Sequence, residues 1–108
     1  MKIAELVKSC DLKPLSDMGD KDACGIYISD MLSDVMSSAA ASNIWITTQT
    51  HKNVVSAANL IDIAAIVVPE NREVPQGTVV LANRFGVIIL SSPLPADALG
   101  KKLAEAGV

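Results

Sequence analysis

Hydrophobic residues recur along the chain with two different periods, and the change from one to the other predicts the order of helices and strands. Near the N-terminus, apolar positions have the spacing of one face of a short helix: Ile3, Leu6, Val7 and Cys10. Cys10 belongs to this stripe and is therefore predicted to be a small core residue. Pro14 and the Asp/Gly-rich run 16–22 then end the helical pattern.

From residue 43 onward, short apolar runs alternate regularly with segments of helical spacing. The predicted strands are 43–48, 64–68 and 87–90. The predicted helices are 53–62, a segment from Pro75 to near Arg84 with Gly86 beyond it, and a segment from Pro95 to Gly107. Since the strand runs are continuously apolar, we expect both of their faces to be covered, as in a parallel sheet. The pattern predicts a single α/β domain spanning 1–108, with three layers and a mostly parallel central sheet.

The first half of the chain has a weaker pattern. A strand is predicted at 23–28, and a shorter one near 12–15. A helix is expected to begin at Asp30, with Ser29 or Asp30 as the N-cap that accepts hydrogen bonds from the first turn. Four apolar positions of this helix are candidates either for the core or for contact with a second copy of the chain: Met31, Leu32, Val35 and Met36.

Composition and charge exclude several classes of protein. The chain has 108 residues, of which 50% are hydrophobic and 19% charged, so it can bury enough apolar surface to fold as one domain. A net charge of −3 disfavours sequence-independent binding of nucleic acid. The longest apolar run, at 63–68, is far shorter than the ~20 residues that cross a bilayer. Glu5 interrupts the N-terminal apolar stretch, so we expect a cytoplasmic protein rather than an exported one.

The residues typical of metal centres and nucleophilic catalysis are sparse. The two cysteines, Cys10 and Cys24, are 14 positions apart, which supports neither a disulfide framework nor an iron–sulfur site. His51 is the only histidine, so a histidine metal cluster is excluded. Neither a Walker-type phosphate loop nor a Gly-x-Ser-x-Gly nucleophile motif is present. No catalytic residue, metal ligand or obligatory cofactor is predicted.

The densest polar segment follows the predicted strand 43–48. It consists of Thr47, Thr48, Gln49, Thr50, His51, Lys52 and Asn53. In open α/β sheets, ligands bind beyond the carboxyl ends of strands, where helix N-termini offer free N–H groups. The segment, together with Ser29 and Asp30, is therefore a candidate site for a small anionic or nucleotide-like ligand. The alternative is a solvated loop or a contact between subunits.

Two carboxylates raise a second chemical hypothesis. Asp30 and Asp34 are four residues apart, so on a helix they would lie on neighbouring rows and could act as an acid/base or cation pair. A mixed site with His51 would need these residues to converge in space. The alternative is that Asp30 caps the helix, Asp34 is solvated and His51 is an ordinary capping or hydrogen-bonded loop residue.

Two strings of the sequence together resemble the DRTGG domain family. They are GIYISDMLSDVM at 25–36 and WITTQTHKNVV at 45–55, and the resemblance extends over nearly the whole chain. The motif that names the family is present in reduced form at 22–26, where Asp22 and Gly25 remain. The chain looks most similar to small stand-alone members described as hydrogenase-associated. Related domains accompany CBS-domain pyrophosphatases and phosphate acetyltransferases, and the N-terminal domain of HPr kinase/phosphorylase is similar in fold.

The resemblance implies a three-layer α/β domain that acts as a regulatory or adenine-nucleotide-sensing module without catalysis of its own. It also implies a homodimer, for which the helix with Met31, Leu32, Val35 and Met36 is the candidate contact. The partner would be a second copy, or a hydrogenase-associated or other metabolic protein. Two alternatives remain: an accessory protein of an iron-hydrogenase system without its own cluster, and a metal-assisted or acid/base enzyme using His51 with Asp30 and Asp34.

Overall fold

The computed structural model describes every residue from Met1 to Val108 and contains five helices and five strands. The helices are α1 (Ile3–Ser9), α2 (Leu32–Ser38), α3 (Lys52–Leu60), α4 (Gln76–Phe85) and α5 (Ala96–Glu105). The strands are β1 (Lys13–Pro14), β2 (Ile26–Ile28), β3 (Ile44–Ile46), β4 (Ala65–Val68) and β5 (Ile89–Ser91). None of the helices is long and apolar enough to cross a membrane.

The strands form one sheet with the order β1-β5-β4-β3-β2. Strands β2 to β5 are parallel, and they pair in chain order: β2 with β3, β3 with β4, and β4 with β5. Strand β1 pairs antiparallel with β5, with Lys13 opposite Ser91. The predicted α/β class with a mostly parallel central sheet is confirmed, and so is the short strand predicted near 12–15.

Successive residues of the central strands contact helices on opposite faces of the sheet, as the alternation of side chains in a strand requires. On β3, Ile44 and Ile46 pack in a core cluster with α1 and α5, whereas Trp45 packs in a second cluster with α2, α3 and α4. All three side chains are fully buried. The two helix layers and the sheet make up the predicted three layers, and Cys10 lies in the first cluster as predicted.

Strand β1 is fixed to the sheet by a buried serine hydroxyl. Ser16 Oγ donates to the carbonyl oxygen of Val87 at 2.9 Å and accepts from the N–H of Ile89 at 2.8 Å. Just before it, the N–H of Leu15 donates to Ile89 O at 2.8 Å. These bonds satisfy backbone groups at the start of β5, where Leu15 lies beside Ile89, and the antiparallel register then places Lys13 opposite Ser91 at its carboxyl end.

Helix α4 ends at Phe85 and is followed by its C-cap residue, Gly86, whose φ of 70° lies in the left-handed region. A side chain at Gly86 would meet no atom within 4 Å, so a substitution there tests backbone strain alone. We expect Gly86→Ala to lower the free energy of unfolding by about 1 kcal/mol, since non-glycine residues are strained at positive φ. Gly19→Ala is the matched control, because Gly19 has open space and no positive φ. Urea denaturation followed by circular dichroism measures both, and equal stability of the two variants would contradict the prediction.

Candidate ligand site at the carboxyl edge of the sheet

Asp30 joins two neighbouring loops at the carboxyl edge of the sheet. Its Oδ1 accepts from Thr47 Oγ1 at 3.0 Å and from the Thr48 N–H at 2.7 Å. Its Oδ2 accepts from Thr48 Oγ1 at 2.8 Å. The carboxylate therefore fixes the loop after β2 to the loop after β3.

The expectation that Ser29 or Asp30 caps α2 is wrong. The N-cap residue of α2 is Met31, and no side chain accepts a capping hydrogen bond there. Ser29 Oγ accepts from the N–H of Met31 at 3.2 Å, before the helix begins. Trp45 Nε1 donates to Ser29 O at 2.8 Å, so a buried indole of β3 holds the residue that directly precedes Asp30.

Hydrogen bonding keeps Asp30 charged. Partial burial by itself raises the pKa of this carboxyl, but the bonds from Thr48 and Thr47, together with the positive charge of Arg72, hold the pKa below its ordinary value of 3.8. Arg72 belongs to the loop between β4 and α4, so its field extends across this edge of the sheet.

Several polar groups of the predicted ligand loop, 47–53, already form hydrogen bonds within the protein. The Thr47 and Thr48 hydroxyls both donate to Asp30, and Thr47 Oγ1 also accepts from the Gln49 N–H at 3.1 Å. The Thr50 carbonyl accepts from Thr78 Oγ1 of α4 at 2.8 Å. Because the Asp30 carboxylate of the neighbouring loop accepts from both threonine hydroxyls, an anion bound to these hydroxyls would be repelled. Gln49 is half-buried, and His51 and Asn53 are exposed.

The three side chains of the acid/base hypothesis have different surroundings. Asp34 Oδ2 accepts from Tyr27 O–H at 2.9 Å, and this bond raises the pKa of Tyr27. His51 is the N-cap residue of α3, but its side chain makes no capping hydrogen bond. Asp30 precedes α2, so it does not share a helix face with Asp34. No group of three or more His, Cys, Asp or Glu side chains is placed to hold a metal ion.

The four apolar residues proposed for a dimer contact divide between surface and core. Met31 is 65% exposed and Met36 is 41% exposed, so neither is a core residue. Leu32 is half-buried against the second core cluster. Val35 is fully buried within the chain itself and is therefore not available to a partner, which corrects its proposed role.

A crevice opens between β4 and β5, because the helices that follow these two strands pack on opposite faces of the sheet. Helix α4 follows β4 and packs in the cluster with Trp45, whereas α5 follows β5 and packs in the cluster with Ile44. Neighbouring strands whose connections leave in opposite directions create the crevice in which α/β proteins bind ligands.

A cavity of about 440 Å³ lies beside this crevice, between β1, the end of β5, the loop after β4 and the first turn of α4. Its wall consists of Lys13, Leu15, Asn71, Arg72, Glu73, Val74, Gln76, Val79 and Ser91. The volume is within the range of small-molecule sites. Lys13 and Arg72 are cationic, Glu73 is anionic, and Asn71, Gln76 and Ser91 add neutral polar groups. The cavity can therefore accept a polar ligand that carries negative charge.

The loop that presents Arg72 is held by its backbone. Glu70 and Asn71 both have positive φ, at 63° and 52°, which turns the chain sharply after β4. The N–H of Glu70 donates to Leu94 O, and the N–H of Asn71 donates to Ser92 O, both at 2.9 Å. Arg72 also pairs with Glu70, with its Nε 3.2 Å from Oε1. The loops after β4 and β5 are thus joined, and Arg72 is oriented by a surface ion pair.

The sequence pattern does not indicate this cavity. Its wall combines β1, the end of β5, the loop after β4 and the first turn of α4, and β1 reaches this wall only because it pairs with β5. The one available signal was that 70–74 is a polar loop following a buried strand, which is the same signal that favoured 47–53.

The residues shared with the DRTGG motif lie at the opposite end of the sheet. Asp22 forms an ion pair with Lys2 at 3.6 Å. Gly25 precedes β2 with a φ of 84°, and a Cβ there would approach Asn43 Nδ2 to 2.8 Å. That amide donates to Cys24 O at 2.8 Å. In this chain, Asp22 and Gly25 therefore make structural contacts at the amino edge.

Comparison of the sequence with family models and with curated proteins found no match. Comparison with solved structures found the CBS and DRTGG domains of the regulatory region of Clostridium perfringens pyrophosphatase, complexed with the activator diadenosine tetraphosphate. The TM-score is 0.75 at 7% sequence identity, and the match covers 96% of this chain and 46% of the other. The chain thus spans less than half of that protein chain, and the likeness establishes a shared fold.

Replacing Asp30 tests the bridge between the two loops. We expect Asp30→Asn to lower the free energy of unfolding at neutral pH by about 1 kcal/mol, because an amide oxygen cannot accept all three bonds and water replaces part of the loss at this exposed site. Since the folded-state pKa is lowered, the contribution of Asp30 is present above pH 3.8 and is lost as the pH falls through the folded-state pKa. The difference between wild type and variant should therefore shrink in acid.

Urea denaturation at a series of pH values measures this difference. Asp17→Asn is the control, because the Asp17 side chain is exposed and makes no hydrogen bond or ion pair, and it should have little effect at any pH. A pH-independent loss in Asp30→Asn would show that its carboxylate charge is not what stabilises the bridge.

Proposed function

We propose that this protein is a regulatory, non-catalytic domain of the DRTGG type that binds a small anionic ligand of the phosphate or adenine-nucleotide class at the crevice between β4 and β5. The cavity of about 440 Å³ at the carboxyl ends of these strands is the observation that carries the proposal. It combines the position at which α/β folds bind ligands with a suitable volume.

The charges of the wall support an anionic ligand. Lys13 extends from β1 and forms no ion pair, while Arg72 forms one surface ion pair with Glu70. The wall itself carries two cations, Lys13 and Arg72, against one carboxylate, Glu73, in a chain whose net charge is −3. A phosphate group could therefore bind between Lys13 and Arg72, while Leu15, Val74 and Val79 provide apolar contacts.

The fold likeness supports a regulatory role over an enzymatic one. The matching structure is a regulatory region complexed with a nucleotide activator. In addition, the residues of the enzyme hypothesis engage separate partners: Asp30 bonds to threonines, Asp34 bonds to Tyr27, and His51 is exposed. The link to a hydrogenase system and the cytoplasmic location stay predictions.

A ligand panel tests the proposal. We expect AMP, ADP, ATP, diadenosine tetraphosphate or inorganic phosphate to raise the melting temperature. A ligand at about 100 times its Kd should add about 2.7 kcal/mol to the free energy of unfolding. Lys13→Ala and Arg72→Ala should each weaken binding about tenfold, since a charge-assisted hydrogen bond contributes about 1.5 kcal/mol. Differential scanning fluorimetry and titration calorimetry provide the two measurements.

Two further variants distinguish the crevice from the loop predicted from sequence. Lys101→Ala removes an exposed lysine of α5 and should leave binding unchanged. Gln49→Ala changes the loop after β3, and a loss of binding in this variant alone would place the ligand there. Failure of every compound to shift the melting temperature would contradict ligand binding at either place.

We further propose that the chain forms a homodimer through the free edge of β2 and the adjoining surface of α2. Strand β2 is the last strand of the sheet, and β3 is its only partner. At α2, Met31 and Met36 are exposed, while Ile28, at the end of β2, is 52% exposed on the face that carries α5. A two-fold interface brings the same patch of both copies together, so a contact through α2 would bury Met31 and Met36 of each copy.

Charge placed in this patch should separate the copies. We expect wild type to elute as a dimer at micromolar concentration, and Met31→Asp and Met36→Asp to elute as monomers, because a carboxylate cannot be buried without a partner. Light scattering after size exclusion measures the mass. Met18→Asp is the control at another exposed methionine and should remain dimeric. A monomeric wild type would contradict the proposal.

A further inference from the structure

A second cavity, of about 270 Å³, lies between α3 and α4 on the outer surface of the helix layer. Along α4, Gly77, Val80, Leu81 and Arg84 follow at helical spacing and form one side of this groove. The side chain of Lys52, the first residue of α3, lies over Gly77. A Cβ at Gly77 would be 3.1 Å from Lys52 Cε. The groove thus has an apolar floor and a cation on either side. Gln76 is the only residue that it shares with the ligand cavity.

The groove is cationic in an acidic protein. Helices α3 and α4 contain no Asp or Glu, and Lys52 and Arg84 are their only charged residues. Neither cation belongs to any of the ion pairs of the molecule, which lie at Lys2, Arg72 and Lys102. Two unneutralised positive charges with no carboxylate in the wall favour a negatively charged occupant.

The groove also presents exposed apolar surface. Val80, in its wall, is 48% exposed. Leu60 and Phe85, the last residues of α3 and α4, are 71% and 47% exposed. Such a combination of exposed apolar side chains and fixed charges is typical of grooves that receive an amphipathic segment.

We propose that the groove between α3 and α4 is a docking surface for a short amphipathic segment of a partner protein, in which carboxylate side chains lie beside apolar ones. Its carboxylates would pair with Lys52 and Arg84, and its apolar side chains would contact Val80 and Leu81. A second copy of this face is a poor occupant, since a two-fold contact would bring four cations together. Nucleic acid is also disfavoured, because two cations neutralise too few phosphates.

Selection from a displayed library of short random peptides, with the whole chain as target, tests this proposal. We expect the enriched peptides to carry Asp or Glu beside Leu, Met or Phe. Labelled versions should bind in fluorescence anisotropy, and binding should weaken as salt is raised, because the charge pairs are solvent-accessible. Lys52→Glu and Arg84→Glu should each weaken binding about tenfold, since reversal turns attraction into repulsion.

Lys101→Glu is the matched control, because Lys101 is an exposed lysine on the opposite helix layer, and it should bind the peptides as wild type does. The milder variants Lys52→Gln and Arg84→Gln should give smaller losses, which separates loss of attraction from damage to the fold. The proposal is overturned if the enriched peptides lack carboxylates, or if they bind the reversed variants as tightly as wild type. A change of oligomeric state in the reversed variants would instead assign the groove to a second copy.

Discussion

The need to cover the second face of the sheet determines the architecture of this protein. Strands β2 to β5 pair in chain order. Crossover connections of the same handedness between them then place α2, α3 and α4 on a single face of the sheet. Without further helices, the other face would expose Ile44, Ile46, Val67 and Leu90 to water. Helices α1 and α5 bury these side chains. Because α5 must cross to that face directly after β5, the chain opens the crevice beside β4.

The carboxyl edge of the sheet has two parts: the loops around Asp30 are hydrogen-bonded to each other, whereas the loop around Arg72 borders a cavity. Around Asp30, three hydrogen bonds from Thr47 and Thr48 join the loops after β2 and β3, so their polar groups are already paired. Around Arg72, the loop after β4 is fixed mainly by its backbone, and its side chains face a cavity. Side chains that satisfy one another stabilise the fold, whereas side chains directed into open space can bind a ligand.

Helix α4 lies between two surfaces of different chemistry. Its first turn contributes Gln76 and Val79 to the ligand cavity, and its outer side carries Val80 and Arg84 beside the groove. The two binding surfaces that we propose therefore share one helix, and a displacement of α4 would alter both of them directly.

Local pattern determined the element types, whereas tertiary contacts determined the roles of individual polar and apolar residues. The runs 43–48 and 64–68 could be recognised as buried strands, because covered parallel strands are apolar on both faces. The role of Asp30 could not be assigned from its sequence neighbours. An aspartate that precedes a helix can cap that helix or bond to a neighbouring loop, and here its carboxylate bonds to Thr48. Val35 and Met36 are adjacent in one apolar stripe, but only packing against α3 decides which is buried. The cavity depends on β1 pairing with β5, a contact between segments more than 70 residues apart that no local periodicity encodes.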